Sequence, residues 1–349
     1  MRIAQIAPLY ESCPPKLYGG TERVVSYLTE DLVAAGHDVT LFASGDSQTA
    51  ARLISPCDHA IRLQPDGADG VAYHTLMMHQ VSKRISEFDI LHFHTDYLHF
   101  NAFERYAPKT LTTLHGRLDA PSMSAILAEF PMMPLVSISD AQRLPVPWAN
   151  WVRTVYHGLP AETYQLGTGN DGYLAFVGRI SPEKGPDRAI SIAKGAGVPI
   201  KLAAKIDTVD RAYFEREIEA LFADPLVDYI GEIGDPQKSR FFGGALALLF
   251  PIDWPEPFGL VMIEAMATGT PTIAFRHGSV EEIIEDGVTG FVVDTIDEAI
   301  AAVAKVGSLD RRNIRKRFEE RFAIRRVSDA YVSLYEELAG IDARVRAFA

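Results

Sequence analysis

Short apolar runs alternate with helix-period segments along almost all of the 349 residues, and this order narrows the fold more than any other feature of the chain. Strand patterns fall at residues 3–7, 39–42, 90–94, 110–114 and 134–138. Between the first two, residues 21–35 read as a helix: Val24, Val25, Leu28, Leu32 and Val33 share one face, and Gly36 is the glycine expected just past a helix end. The pattern then restarts, with strands at 173–177, 200–204, 227–230, 247–250, 272–274 and 291–293. Strands that alternate with helices build parallel sheets covered on both faces. The expected fold class is therefore α/β, with two Rossmann-like doubly wound parallel-sheet domains. Residues 158–172 are glycine-rich with little apolar periodicity, and are the expected hinge. The domains are expected at 1–160 and 161–326, with a last helical segment at about 327–349 packing back on the first. Length agrees, since roughly 100–200 residues per domain leave room for two cores.

Charge excludes some functions. Asp and Glu number 46 against 34 Lys and Arg, a formal charge of −12. Such a surface repels phosphate backbones over long range, so no nucleic-acid partner is expected, and an anionic ligand needs a local, organised site. Cys13 and Cys57 are too few for a disulfide scaffold or a structural zinc site, which suits a reducing compartment. Apolar stretches such as 245–252 reach about 8 residues against the ~18 of a membrane span. The N-terminal run stops at Pro8, short of a signal peptide's apolar region. The expectation is a cytoplasmic protein with no integral membrane segment.

The segment G-T-G-N-D-G at 167–172 matches the dinucleotide pattern G-x-G-x-x-G. That motif works only between a strand and a following helix, where pyrophosphate meets a helix N-terminus. Here a linker pattern precedes it and a strand follows, so it reads as linker.

The richest segment is P-I-D-W-P-E-P-F-G-L-V-M-I-E-A-M-A-T-G-T-P at 251–271. It follows the strand pattern at 247–250, and Pro255 and Pro257 hold it as a loop until a helix can begin near Gly259. Glu256 thus lies at the carboxyl end of a parallel strand, where open α/β sheets bind ligands. The amides of Gly259, Leu260 and Val261 are first-turn donors that, with the helix dipole, form an anion site. Eight residues at about 100° each rotate by roughly 80° net, so Glu264 lies on a flank of that helix, within reach of a polyol beside a bound phosphate. Taken alone, Glu264 reads equally well as a surface carboxylate and Glu256 as a helix-entry charge. F-V-G-R-I-S-P-E-K-G at 176–185 breaks the tie. Arg179 and Lys184 follow a strand end on a loop, one a fork for phosphate oxygens and the other a mobile point charge, together suited to a diphosphate. Lys184 could instead cap neighbouring acids, but in so acidic a chain the pair reads better as the local anion site.

With these motifs the chain resembles the retaining glycosyltransferases of family 4, which have the two-domain GT-B fold. The resemblance spans almost the whole chain. It rests on the E-x7-E signature from Glu256 to Glu264, on V-G-R-I-S-P-E-K-G, and on the loop Tyr18, Gly19, Gly20, Thr21, Glu22. D-I-L-H-F-H at 89–94, L-H-G at 114–116 and E-E-I-I-E-D-G-V-T-G-F at 281–291 are also similar. It implies two Rossmann-like domains facing each other across a cleft, with a nucleotide-diphosphate sugar bound mainly by the second. The acceptor, a small molecule, glycan or lipid-linked sugar, would sit on the first. Arg179 and Lys184 would take up the charge that develops on the leaving diphosphate. Glu256 would contact sugar hydroxyls and Glu264 the ribose, while Phe258, Gly259, Leu260 and Val261 would face the donor. Gly19 and Gly20 would close on the diphosphate from the other domain, and His115 would lie near the reacting sugar. Lys205, where many relatives carry a glycine-rich turn, either adds a third cation or is simply exposed. The loop R-H-G-S-V at 276–280 departs from a commoner Gly-Gly pair, so donor-sugar contacts there can differ.

The family retains anomeric configuration, and no carboxylate obviously serves as a nucleophile, so a front-face mechanism is implied. The expected activity is hexosyl transfer, with UDP-glucose the expected donor and GDP-mannose or an amino-sugar donor left open. His92, His94 and Asp96 lack further ligands in a recognisable pattern, and no D-x-D occurs, so no metal and no other cofactor is expected. The rivals are a sugar-nucleotide epimerase or phosphorylase on the same scaffold, and a non-catalytic nucleotide-sugar binder.

Overall fold

Among the described residues, seven parallel strands form one sheet: β1 (Arg2–Ile6), β2 (Asp38–Phe42), β3 (Arg52–Ile54), β4 (Ile90–Phe93), β5 (Thr110–Thr113), β6 (Leu135–Ser137) and β7 (Trp151–Thr154). Their order is β3-β2-β1-β4-β5-β6-β7. Six more form a second parallel sheet: β8 (Leu174–Arg179), β9 (Ile200–Lys205), β10 (Val227–Gly231), β11 (Ala247–Phe250), β12 (Thr272–Phe275) and β13 (Gly290–Val293), in the order β10-β9-β8-β11-β12-β13. Each sheet grows outward from its first strand in both directions, which is the doubly wound arrangement expected. The computed structural model describes residues 1–16, 19–64 and 69–340; Tyr18 of the N-terminal motif and residues 341–349 of the expected last helix lie outside them.

The chain divides into two compact units, Met1–Gly158 with the C-terminal segment from Ile324, and Leu159–Ala323. In the first, the helix Ile324–Leu338 presents Val327, Tyr331, Leu334 and Tyr335 to a core that includes Ile3, Leu28, Leu32 and Val39. Burying each such side chain stabilises by about 1.5–3 kcal/mol. In the second, Leu174, Phe176, Leu202, Leu249 and Ile273 pack against the helix Pro186–Ala196 through Ala189, Ile190, Ile192 and Ala193.

Residues 167–172 are not a free linker. The Gly167 amide donates to the Thr268 carbonyl (2.9 Å), Gly169 to Gly243 (2.9 Å) and Asp171 to Gly244 (3.1 Å). A Cβ on Gly167 would stand 2.1 Å from the Gly243 Cα, so glycine here serves backbone-to-backbone packing and the segment runs into β8 as a strap on the second unit. The helix Arg311–Arg321 has the charge pattern of a solvated face, yet two of its arginines turn inward. Arg311 donates to the carbonyls of Gly167, Ala245 and Gly243 and to Thr270, and Arg315 to those of Tyr164, Ala267 and Ala161. Two of its arginines thus tie carbonyls of loops and helix ends together within the second unit.

Candidate functional site

In each sheet the strand order reverses beside the first strand, and open α/β sheets bind ligands outside the carboxyl ends of the strands at such a point. In the second unit that point lies between β8 and β11, whose following loops carry the two strongest motifs.

After β11 the chain runs through Pro251 to Gly259, whose φ of +79° allows the turn into the helix Leu260–Ala267. A Cβ on Gly259 would meet Met262 at 2.8 Å and the Phe250 ring at 3.1 Å. The loop 276–279 buttresses this segment. Gly278 (φ +56°) lies so close that a Cβ would stand 2.3 Å from the Glu256 carbonyl, Ser279 N donates to that carbonyl (3.1 Å), and Ser279 Oγ donates to the Phe258 carbonyl (2.8 Å). The Phe258 ring is buried against Phe322, centroids 6.2 Å apart, so its side chain packs in the core.

The turn after β8 is tied to the same loop. Asp253 N donates to the Glu183 carbonyl (2.9 Å), and Arg188 Nε donates to the Pro251 carbonyl (2.7 Å). Lys184 Nζ donates to the Glu256 carboxylate and sits 4.6 Å from the centre of the Trp254 ring. Residues 72 positions apart in sequence thereby form one ion pair. Arg179 is also paired, donating to Glu183 (2.6 Å), with its Nε 2.7 Å from Asp210. Lys205 lies opposite Arg179 in the β8/β9 register, 3.4 Å from Asp207. All three cations therefore stand at neighbouring strand ends with carboxylates against them.

Glu264 is 1% exposed, so it is no surface carboxylate. Lys238, from the helix Asp235–Gly244, donates to its Oε1 at 2.6 Å, and Tyr164 Oη donates to the same oxygen at 3.3 Å. Its Oε2 is buried with no hydrogen-bond partner among the described residues. Sequence reasoning missed Lys238 and Tyr164. The signal was the composition of L-V-M-I-E-A-M-A, apolar around Glu264, which buries that carboxylate and so demands a cation from elsewhere.

In the first unit, Gly19 follows β1 and Gly20 opens the helix Gly20–Ala34. Gly19 has φ +147°, and a Cβ there would stand 2.8 Å from Pro15. In that helix's first turn Glu22 is buried, accepts from Glu11 N (3.2 Å), and is pushed up to about 7 by desolvation. His115 follows β5. Its Nε2 is 2.9 Å from Nδ1 of His94, its ring stacks on His157 (5.2 Å, 13°), and burial pushes it down to about 3. His92 and His94 are taken up by side-chain hydrogen bonds to Tyr335, Thr113, Gln5 and His115. Among the described residues no three His, Cys, Asp or Glu side chains gather as a metal-ligand set, and no helix is long and apolar enough to cross a membrane.

Two family models cover most of the chain: Glycosyl transferases group 1 matches residues 165–322, and Glycosyltransferase Family 4 matches residues 18–157. Spore coat protein SA of Bacillus subtilis is 23% identical, the match covering 97% of this chain and 100% of that protein. The O-antigen chain mannosyltransferase C of Escherichia coli is 23% identical over 97% of this chain and 99% of its own. The D-inositol 3-phosphate glycosyltransferase of Saccharomonospora viridis is 29% identical over 53% of this chain and 50% of its own. Among solved structures, the sucrose-phosphate synthase of Thermosynechococcus elongatus superposes with a TM-score of 0.79 at 17% identity, covering 97% of this chain and 98% of that one. Anabaena HepE in complex with UDP and glucose superposes with a TM-score of 0.72 at 17% identity, covering 97% and 100%.

Proposed function

The chain belongs to glycosyltransferase family 4 and has the GT-B fold, and from that premise we propose that it transfers a hexosyl group from a nucleotide-diphosphate sugar, UDP-glucose, to a hydroxyl of a sugar-like acceptor with retention. The observation that carries this reading is the Lys184–Glu256 ion pair beside the first-turn amides of the helix Leu260–Ala267. A diphosphate placed on those amides competes with Glu256 for Lys184. Once Lys184 turns to phosphate oxygens, the Glu256 carboxylate is released as an acceptor for sugar hydroxyls, so donor binding itself arms the site. Arg179 makes the same exchange from Glu183. Glu264 holds the ribose hydroxyls through its unpartnered Oε2, with Oε1 anchored by Lys238.

In the front-face reaction the bond from the anomeric carbon to the diphosphate oxygen breaks as the acceptor oxygen bonds to that carbon from the same side. The acceptor proton passes to the departing phosphate oxygen. Lys184 and Arg179 stabilise the negative charge growing on the diphosphate, a term felt more strongly in the transition state than in the bound donor. These organic cations fill the role that a divalent metal has elsewhere, so the reaction runs without one. UDP-glucose as donor is supported by the HepE structure, whose bound ligands are UDP and glucose.

Replacing Lys184 with alanine tests the reading. Transfer is expected to be lost while the circular dichroism spectrum is kept; a variant with wild-type turnover refutes the leaving-group role. Thermal-shift measurements over a panel of nucleotide sugars test the donor, because a ligand stabilises the state that binds it. UDP-glucose is expected to raise Tm most.

A further inference from the structure

An unbroken line of hydrogen bonds runs through the interior of the first unit and ends at His115. Tyr331 Oη lies 2.9 Å from Thr113 Oγ1, which lies 2.7 Å from His92 Nε2. His92 Nδ1 is 2.7 Å from Tyr335 Oη, and Gln5 Nε2 donates to that hydroxyl at 3.0 Å. The other end of the same amide, Gln5 Oε1, is 2.8 Å from His94 Nε2, and His94 Nδ1 is 2.9 Å from His115 Nε2. Gln5 and His92 are fully buried, and His94 is 3% exposed. Beyond His115 the line stops: its Nδ1 is buried without a hydrogen-bond partner among the described residues.

A neutral imidazole has one N–H and one bare nitrogen, so along such a line each ring passes its polarity to the next. Burial holds His92, His94 and His115 in the neutral form at ordinary pH. Gln5 sets the direction, because its two ends are chemically unlike. Its carbonyl oxygen can only accept, so His94 carries its proton on Nε2 and has a bare Nδ1. His115 must then donate from Nε2, and its own Nδ1 is bare. The Tyr335 hydroxyl, which accepts from the Gln5 amide, donates in turn to His92 Nδ1, so the line is consistent on both sides of Gln5.

We propose that Gln5 and His94 are positioning residues that hold His115 in its Nε2–H tautomer, so that Nδ1 is a fixed acceptor for a hydroxyl of the donor sugar. The proposal rests on the reading that His115 meets that sugar. It also makes the place selective: a hydroxyl donates to a bare nitrogen, whereas a carboxylate or an ether oxygen at the same position has no proton to offer and meets a lone pair.

Long-range proton–nitrogen correlation spectra of the full chain labelled with 15N-histidine distinguish the two tautomers, with His115→Ala identifying the resonance. The Nε2–H form is expected for His115 in the unaltered protein, and the Nδ1–H form overturns the proposal without recourse to activity. In Gln5→Met, which keeps the length of the side chain and removes both polar ends, His115 is expected to become a mixture of tautomers. In that variant kcat/KM for the nucleotide sugar should fall about tenfold while the Kd for UDP alone is unchanged, since UDP has no hydroxyl at that place. His94→Leu should behave alike, and His94→Asn, which sets an amide oxygen where Nδ1 stood, should restore the tautomer and most of the activity. A pure Nε2–H tautomer retained in Gln5→Met overturns the role of Gln5, and an equal weakening of UDP binding points to a merely structural role and overturns the positioning one. Wild-type kcat/KM in His115→Ala overturns the sugar contact itself, whatever the spectra show, so the two failures are told apart.

Discussion

Replacing Lys238 with methionine tests whether the buried end of the E-x7-E motif is held by a cation that the motif does not contain. Glu264 is 1% exposed and the Lys238 side chain 12%, with 2.6 Å between them. At an effective dielectric near 20, charges at that distance attract by about 6 kcal/mol, much of it offset by the desolvation of both groups. Breaking such a pair from one side costs more than the pair is worth, about 3–5 kcal/mol, because a buried charge is left alone. Lys238→Met leaves Glu264 with only the Tyr164 hydroxyl at 3.3 Å and should lose stability in that range. Glu264→Gln leaves Lys238 near Asp235, 3.8 Å away, and should lose less, about 1–3 kcal/mol. The double variant has no unpaired buried charge and should be more stable than Lys238→Met alone. Trp254 is the one tryptophan of the second unit, so in a Trp148→Phe, Trp151→Phe background its fluorescence during urea unfolding reports that unit by itself. A loss below about 1 kcal/mol in Lys238→Met, or strictly additive single effects, would show that Lys238 does not hold the Glu264 carboxylate.

The buried Glu22 gives a pH dependence of stability. Its pKa is about 7 in the folded protein against an ordinary 4.5, so the folded state keeps a proton that the unfolded chain has lost between those values. Stability is therefore full below about pH 4.5 and falls as pH rises to about 7, by about 3 kcal/mol in all at roughly 1.36 kcal/mol per unit. Glu22→Gln keeps an acceptor for Glu11 N and should flatten this slope in urea titrations from pH 4.5 to 8; an unchanged slope assigns it to another group. Gly278→Ala, whose Cβ would stand 2.3 Å from the Glu256 carbonyl, should shift that loop and weaken UDP-glucose binding at least tenfold by calorimetry; unaltered affinity would show the buttress to be dispensable. Chelator should leave the transfer rate unchanged, and a loss restored by a divalent metal would overturn the assignment of leaving-group charge to Arg179 and Lys184.

Residues whose own chemistry dictates their surroundings were legible in the sequence. Pro255, Pro257 and Gly259 mark a loop turning into a helix in almost any context, and central strands of the second sheet such as Ala247–Phe250 are apolar runs because both faces are covered. The edge strands β3 and β7 were not foreseen, for the converse reason. They are short and half-exposed, and carry Arg52, Arg153 and Thr154, so no apolar run betrays them. The helix 311–321 misled for a different reason: its arginines have the spacing of a solvated face, and only the fold brings the carbonyls of Gly167, Ala245 and Tyr164 within their reach.

The same division runs through the functional residues. Glu264 and His115 could be picked out as polar groups in motifs, but a polar group taken out of water must find a partner or destabilise the fold. The partner can come from anywhere that the topology brings close. For Glu264 it is Lys238 on the preceding helix; for His115 it is His94, directly after β4, and then Gln5 on β1, the two strands at the reversal of the first sheet. The line continues to Tyr335, 330 positions from Gln5, on a helix that belongs to the first unit although it follows the whole of the second. A motif therefore shows which groups meet the ligand, while their protonation is decided by side chains outside it. For that reason Gln5, which no motif marks, is the residue whose replacement most cleanly separates the direction of the hydrogen-bonded line from the presence of His115.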